Sequence, residues 1–598
     1  MSSLNILENL NSEQKKAVKA INGPVLILAG AGSGKTRCLT HKIAFLIKKG
    51  VMSHNILGVT FTNKAAHEMK ERVAKLLKNK HKIPLISTFH ALCVRILRQE
   101  AAYLGLKPRF LIYDKDDQQK LIKQILKQLE LDTAKFHPNL VIGSISRSKN
   151  QLITWKNFQN QAQDFFEEKI SIIYEKYQDK LKQLNALDFD DLIMKAVELF
   201  QKNPKILEKY QNKFKYILVD EYQDTNHSQY VLINLLAKKY KNICVVGDDA
   251  QSIYAWRGAN LDNILNFERD YPDAKVYYLK QNYRSTKKIL KLANCIICQA
   301  KGLKPKNLWT NNKQGSKINI LELDNEQEEA DYIVDEINFL KEKNKLDFAD
   351  FTVLYRTNTQ SRAIEEALLS YNTPYKIIGG IKFYARAEIK DALAHLRLIL
   401  NPVDELSIAR IGKRASKTLL EKAENTNFSK KSLEKILNFA FSATGFLEKL
   451  RLSDKRKNEN REENVKELFT VIGSRDTVLG LKSIELFLEQ TSLFSDLDEA
   501  GRDNAVHLMT MHSAKGLEFP VVFISGFEEG IFPHYKSLDK PSQLQEELRL
   551  CYVGITRAQK YLYLTFTQSR NIWGQKQYNI PSRFLKNIPK ELIEFNIV

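Results

Sequence analysis

The stretch PVLILAGAGSGKT, residues 24–36, constrains the fold more than any other part of the 598-residue sequence. An apolar run too short for a helix leads into a glycine-rich turn, then into the amphipathic RCLTHKIAFLIKK. Strand, turn and helix in that order form the repeating unit of parallel α/β sheets. The turn matches G-x-x-x-x-G-K-[ST] in full, with the required strand before it and helix after it. Gly30, Gly32 and Gly34 let the backbone bend tightly enough to aim N–H groups at phosphate oxygens. Lys35 places a positive charge at the β- and γ-phosphates, and Thr36 offers a hydroxyl to Mg²⁺. The start of the helix adds a favourable dipole. The candidate nucleotide-binding loop is Ala29, Gly30, Ala31, Gly32, Ser33, Gly34, Lys35, Thr36 and Arg37. A glycine turn that merely joins strand to helix is the plain alternative, and the complete match disfavours it.

Phosphate chemistry of this kind needs a second anchor for the metal. YILVDEYQD, from residue 216, ends a β-branched run in two adjacent carboxylates, at the strand end where α/β folds bind ligands. Asp220 is expected to hold Mg²⁺, directly or through water, and Glu221 to orient or deprotonate the attacking water. Alone, such a strand end is more often simply solvated. Combined with the phosphate loop, it predicts hydrolysis of a nucleoside triphosphate.

Short buried-strand patterns at 24–28, 56–62, 216–221 and 242–248 alternate with helical ones such as 64–78 and 89–104. Strand signals vanish between about 110 and 200, return at 274–280, 317–323 and 351–356, and give way to charged helical sequence from 380 to 500. They reappear at 519–525 and 560–566. The predicted fold class is α/β: two parallel-sheet lobes, each interrupted by a mainly helical insertion. The corresponding segments are 1–109 and 201–280 around insertion 110–200, then 281–378 and 504–598 around insertion 379–503.

The 92 Lys and Arg against 70 Asp and Glu give a net charge of +22, which favours a polyanionic partner, nucleic acid or an anionic membrane surface. Solvated lysines on helix faces are the bland explanation. No apolar run is long enough to span a bilayer, and the N-terminus lacks a signal-peptide pattern. Six scattered cysteines fit a reducing cytoplasm. Cys295 and Cys298 form a lone CxxC with no second pair, so they are expected in a helix core rather than on a metal.

VGDDAQSIYAWRGA, residues 246–259, follows a third strand of the first lobe. Gln251 is an uncharged donor and acceptor suited to sensing a γ-phosphate. Tyr254 and Trp256 offer flat rings on which bases stack. Folding back as core is the alternative, and it suits Tyr254 better than Trp256.

With that segment in hand, the chain resembles the UvrD, PcrA and Rep group of superfamily-one DNA helicases over nearly its whole length. LNSEQKKAV (10–18), VTFTNKAAHEMKERV (59–73), STFHALCVRILR (87–98), NALDFDDLI (185–193), LKQNYRST (279–286), YRTNTQSRAIEEAL (355–368), VHLMTMHSAKGLEFPVVF (506–523) and EELRLCYVGITRAQK (546–560) follow in family order. The resemblance implies two RecA-like lobes, ATP and Mg²⁺ as cofactors, and single-stranded DNA or single/double-strand junctions as partner. Gln14 is then expected to read the adenine and Tyr283 to stack on it. Arg284 and Arg557 are expected to reach the γ-phosphate from the second lobe, and Glu518 to contact ribose or polarise the site. Guanidinium groups in that role speed phosphoryl transfer by roughly 10³–10⁵. Phe61, Tyr254 and His512 resemble positions lining the DNA path, and Asn63, His90, Trp256 and Arg257 join them. YLYLTFTQSRNIWGQKQYNI (561–580) is expected as a strand-separating hairpin with Trp573 near its tip, or as one whose aromatic packs on an insertion.

The second insertion looks shorter than in well-known relatives. RIGKRASK (410–417) has Arg410 where the family often has the first glycine of a duplex-contacting turn. The sequence is expected to lack the C-terminal extension of some relatives, and room for a nuclease. The resemblance points to an ATP-driven 3′→5′ DNA translocase that unwinds duplex in repair or replication, as monomer or transient dimer, with an accessory protein. The alternative is a translocase that strips bound proteins and unwinds poorly alone. A non-catalytic DNA-binding scaffold is disfavoured by the intact Lys35, Asp220, Glu221 and both arginines.

Overall fold

A computed structural model of the protein describes residues 6–78, 81–107, 110–380, 383, 386–457, 461–473, 479–496, 504–572, 575–586 and 588–597. The chain divides into two compact units. The first comprises Met1–Arg284 and Ala300–Asn311, the second Ser285–Gln299 and Asn312–Val598. Both are α/β and both are built on wholly parallel sheets, the RecA-like class expected from the sequence.

In the first unit the strands are β1 (Val25–Ala29), β2 (Ile56–Thr60), β3 (Leu85–Thr88), β6 (Tyr216–Val219), β7 (Ile243–Gly247) and β8 (Lys275–Leu279), with β4 (Leu111–Tyr113) and β5 (Ala186–Asp188) set apart. Their order is β3-β2-β6-β7-β1-β8. Alternate side chains of β1 enter different cores: Leu26 and Leu28 one, Val25, Ile27 and Ala29 the other. Burial on both faces is why these strands read as unbroken apolar runs. Each buried Val, Leu or Ile among them contributes about 1.5–3 kcal/mol. The order also places the expected site residues, because β6, β7 and β1 are consecutive neighbours. Their C-terminal ends bring Asp220, Asp248 and the phosphate loop side by side.

The segment between 110 and 200 is mainly helical with its own core of Ile122, Ile125, Val141, Tyr174 and Tyr177. It is not strand-free: β4 pairs with β5 in parallel. Three-residue strands are too short to show a period of two, which is why the sequence pattern hides them.

The second unit has β9 (Ile318–Leu323), β10 (Phe351–Tyr355), β11 (Tyr375–Ile377), β12 (Val506–Thr510), β13 (Phe519–Ile524), β14 (Ala558–Thr567), β15 (Ser569–Ile572), β16 (Gln575–Tyr578) and β17 (Ile593–Ile597). The main sheet runs β11-β12-β10-β13-β14-β9-β17. Helices from Ala387–Leu400 to Leu481–Asp496 form an insertion with a separate core that includes Leu396, Leu437 and Phe441.

Two expectations need correcting. Residues 561–567 are not one arm of a hairpin, because they lie in β14 at the middle of the sheet, paired with β13 and β9. The hairpin is β15 with β16. Arg570 anchors it, donating to Glu329 at 2.6 Å and Glu528 at 2.7 Å, while Asn579 donates to Glu528 at 2.9 Å. Trp573 lies outside the described residues. Arg284, expected on the second lobe, ends the first unit instead, together with Tyr283. Among the described residues no helix is long and apolar enough to cross a membrane, and the six cysteines form no disulfide.

Candidate active site

The phosphate loop caps β1 and starts the helix Lys35–Lys48, with Gly34 at its N-cap and no side chain capping the orphan N–H groups. Such a helix start suits an anion. Gly32 sits at φ +64°, and a Cβ there would meet the Asn282 carboxamide at 2.6 Å. Asn282 donates to the Ala31 carbonyl at 2.9 Å and Tyr283 N–H to the Gly32 carbonyl at 2.9 Å, so residues 282–283 brace the loop. Ser33 closes the turn onto the Gly30 carbonyl at 2.8 Å.

Gln14 reaches the same loop. Its carboxamide donates to the Ser33 carbonyl at 2.9 Å and accepts Asn11 N–H at 3.1 Å, within a capping box at the helix Ser12–Lys19. Asn11 also donates to the Tyr283 hydroxyl at 2.8 Å. The Tyr283 ring is 45% exposed, a flat surface within the loop's own unit. Arg37 is turned away onto the Asn9 carbonyl at 2.6 Å.

Thr36 donates its hydroxyl to Asp220 Oδ2 at 3.3 Å. Burial and then the neighbouring Glu221 charge push the Asp220 carboxyl up to about 7, against the pull of Lys35. Hard oxygen donors carrying surplus negative charge beside the hydroxyl of the loop suit Mg²⁺. Glu221 stands at φ +51°, in the left-handed region that a non-glycine residue occupies at a cost of roughly 1–3 kcal/mol. The fully buried Gln223 holds it there, donating to Glu221 at 2.6 Å while accepting Asp248 N–H at 3.0 Å.

Asp248 is the second buried carboxylate. Gln251 donates to it at 2.7 Å, and the Lys35 ammonium lies 3.7 Å away. Burial opposes its charge, but the ammonium groups of Lys306 and Lys35 more than offset this and hold the carboxyl below its ordinary range.

Three residues past Gln251 the chain emerges. Trp256 is 64% exposed, so its ring is not core, and Tyr254 is half-buried. The rings meet edge to face at 6.3 Å, and the Arg257 guanidinium covers both, 4.6 Å from Trp256 and 5.3 Å from Tyr254. At the ends of β2 and β3, Phe61 packs edge-on against Phe89, Asn63 opens a helix in solvent, and His90 meets Phe189 edge-on at 5.7 Å. All these positions lie just beyond C-terminal strand ends of one sheet.

In the second unit, Arg557 is buried at 2% exposure and donates to the carbonyls of Val553 and Leu517 at 2.9 and 3.0 Å. Glu518 is exposed and accepts from Gln559 at 3.1 Å; His512 is half-buried beyond β12. Arg410 pairs with Asp391 at 2.9 Å. Sequence reasoning passed over Gln223, Asp248, Asn282 and Lys306. Asp248 carried a usable signal, an acid at a strand's end like Asp220, whereas the others act through contacts that no local pattern reveals.

Residues 10–272 match the UvrD/REP helicase N-terminal domain, and 277–434 with 417–569 match the UvrD-like helicase C-terminal domain. A protein named ATP-dependent DNA helicase PcrA from Staphylococcus aureus (strain COL) is 45% identical over 638 aligned positions, covering 98% of this chain and 87% of that protein. One of the same name from Staphylococcus epidermidis is 44% identical with the same coverage. The aligned span exceeds 598 positions, so these relatives carry residues within it that this chain lacks. Fold, strand-end site and both domain matches agree: the chain belongs to the UvrD/REP helicase family.

Proposed function

We propose that this chain is an ATP-dependent DNA helicase that moves 3′→5′ on single-stranded DNA and separates duplex ahead of it, in DNA repair or replication, as a monomer or transient dimer. The observation that carries the reading is the short path from Asp248 through Gln251 to Trp256. One short segment has its beginning buried against Lys35 and its end exposed as an aromatic platform.

The chemistry follows from the residues. Lys35 and the loop N–H groups bind the phosphates. Thr36 and Asp220 would hold Mg²⁺, which neutralises charge on the β- and γ-phosphate oxygens. Glu221, fixed by Gln223, takes the proton of the attacking water, and Gln251 senses the γ-phosphate. Arg284 and Arg557 would supply positive charge as the phosphoryl group transfers. Gln14 and Tyr283 select the base. Trp256, Tyr254, Phe61, Asn63, His90, Arg257 and His512 grip single-stranded DNA by stacking and charge, which tolerates any sequence.

Lys35→Ala tests the reading. ATP turnover in the presence of single-stranded DNA is expected to fall by about 10²–10³-fold while DNA binding persists. Undiminished turnover would place hydrolysis elsewhere.

A further inference from the structure

The chain leaves the first unit at Ser285 and returns to it for Ala300–Asn311. This excursion, containing GLKPKNLWT (302–310), bears no phosphate-binding pattern, yet it touches the nucleotide site at three places. Leu308 lies so close to Gly30 of the phosphate loop that a Cβ there would meet its Cδ2 at 2.3 Å. Trp309 accepts Asn282 N–H at 2.7 Å and donates to the Lys280 carbonyl at 3.0 Å, fastening the residues that brace the loop. Lys304 N–H donates to Asp249 at 2.7 Å, and the buried Lys306 ammonium donates to both Asp248 and Asp249.

Asp248 therefore stands between two ammonium groups, Lys306 in direct contact and Lys35 at 3.7 Å. A buried carboxylate demands a counter-charge. While Lys306 supplies it, Lys35 stays at the longer distance, beside the loop that receives phosphate. Remove Lys306, and Lys35 is the nearest remaining cation to a buried anion held otherwise by the neutral donors Gln251 and Ala250 N–H.

We propose that Lys306 is a positioning residue for ATP hydrolysis: by pairing with Asp248 it keeps Lys35 available to the nucleotide and fixes the carboxylate that orients Gln251. The inference rests on the phosphate loop being the ATP site. It makes the 300–311 excursion a brace of that site as well as a connection between the units.

The test is steady-state ATP hydrolysis with Mg²⁺ and excess oligodeoxythymidine for the intact chain, Lys306→Gln, Asp248→Asn and the double variant, with thermal melting to follow folding. Lys306→Gln is expected to raise KM for ATP about tenfold. Adding Asp248→Asn is expected to return KM close to the parent value with kcat below it, because Gln251 has lost its carboxylate. That split separates release of Lys35 from general damage. A folded Lys306→Gln protein with the parent KM overturns the proposal, as does a folded double variant whose KM is no better than the single one. If Lys306→Gln does not fold, Asp248→Asn alone decides. With Lys306 retained on Asp249, KM at or below the parent value supports the proposal and a raised KM overturns it. Failure of the unaltered chain to hydrolyse ATP would overturn the ATP-site reading itself, a result distinct from the others.

Discussion

The side-chain amide of Gln223 lies 2.6 Å from the Glu221 carboxylate and holds it on a backbone with φ of +51°. The same carboxamide accepts Asp248 N–H, so one buried side chain ties the ends of β6 and β7 together. The proposed role of Glu221 needs an aimed carboxylate, and its orientation is set by a neighbour two residues away.

Gln223→Leu is therefore expected to lower kcat for ATP by about tenfold or more and to change KM much less, since the phosphate-binding groups are untouched. Steady-state kinetics on the folded variant check this. A changed KM with unchanged kcat would mean that Gln223 serves nucleotide binding instead.

Trp256→Ala removes the exposed ring and leaves Gln251 and Asp248 in place. It is expected to cost about 1–3 kcal/mol of single-stranded DNA affinity and to reduce the DNA-stimulated ATPase rate more than the DNA-independent one. Fluorescence anisotropy with a labelled oligonucleotide, beside ATPase titrations, measures both. Equal affinity and equal stimulation would remove the ring from the DNA path.

His395 gives the second unit an acid-sensitive point. It is buried in the helix Ala387–Leu400, with its ring nitrogens against the Asp391 carbonyl at 2.8 Å and Thr444 Oγ1 at 3.0 Å. Burial pushes it down to about 4 from the ordinary 6.5. The unfolded chain takes up the proton first, so the stabilisation is complete above pH 6.5 and is lost as pH falls from there towards 4. The total is about 3 kcal/mol. Denaturant titrations across this window are expected to show His395→Gln with a shallower acid limb than the parent. Parallel limbs would rule His395 out as a source of acid lability.

Legibility in the sequence followed burial and locality. β1, β2, β6 and β7 were readable because burial on both faces writes a continuous apolar run, and the phosphate loop because its geometry is local. β4 and β5 were not, at three residues each. The hairpin was misplaced because β14 runs on to Thr567 before Ser569 begins the turn-bearing pair, and nothing in YLYLTFT marks where a central strand stops. Lys35 stood out by the glycine-loop pattern, and Asp220 and Glu221 by position at a strand end. Gln223 and Lys306 did not: one owes its role to a bond between two strands, the other to a segment that returns across more than 50 positions of sequence to reach Asp248. The exposure of Trp256, left open by its spacing, follows from the short helical turn Ala255–Arg257 that ends at Gly258 with φ +85° and carries the ring outward.

The most direct measurement is strand displacement with ATP and Mg²⁺ on two duplexes of identical sequence, one with a 3′ single-stranded tail and one with a 5′ tail, with ATP consumption followed in the same reactions. Unwinding of the 3′-tailed duplex alone is expected, with ATP consumed on either tail. Displacement of only the 5′-tailed duplex would contradict the polarity, and ATP consumption without displacement of either would contradict the helicase reading and leave a DNA-stimulated translocase.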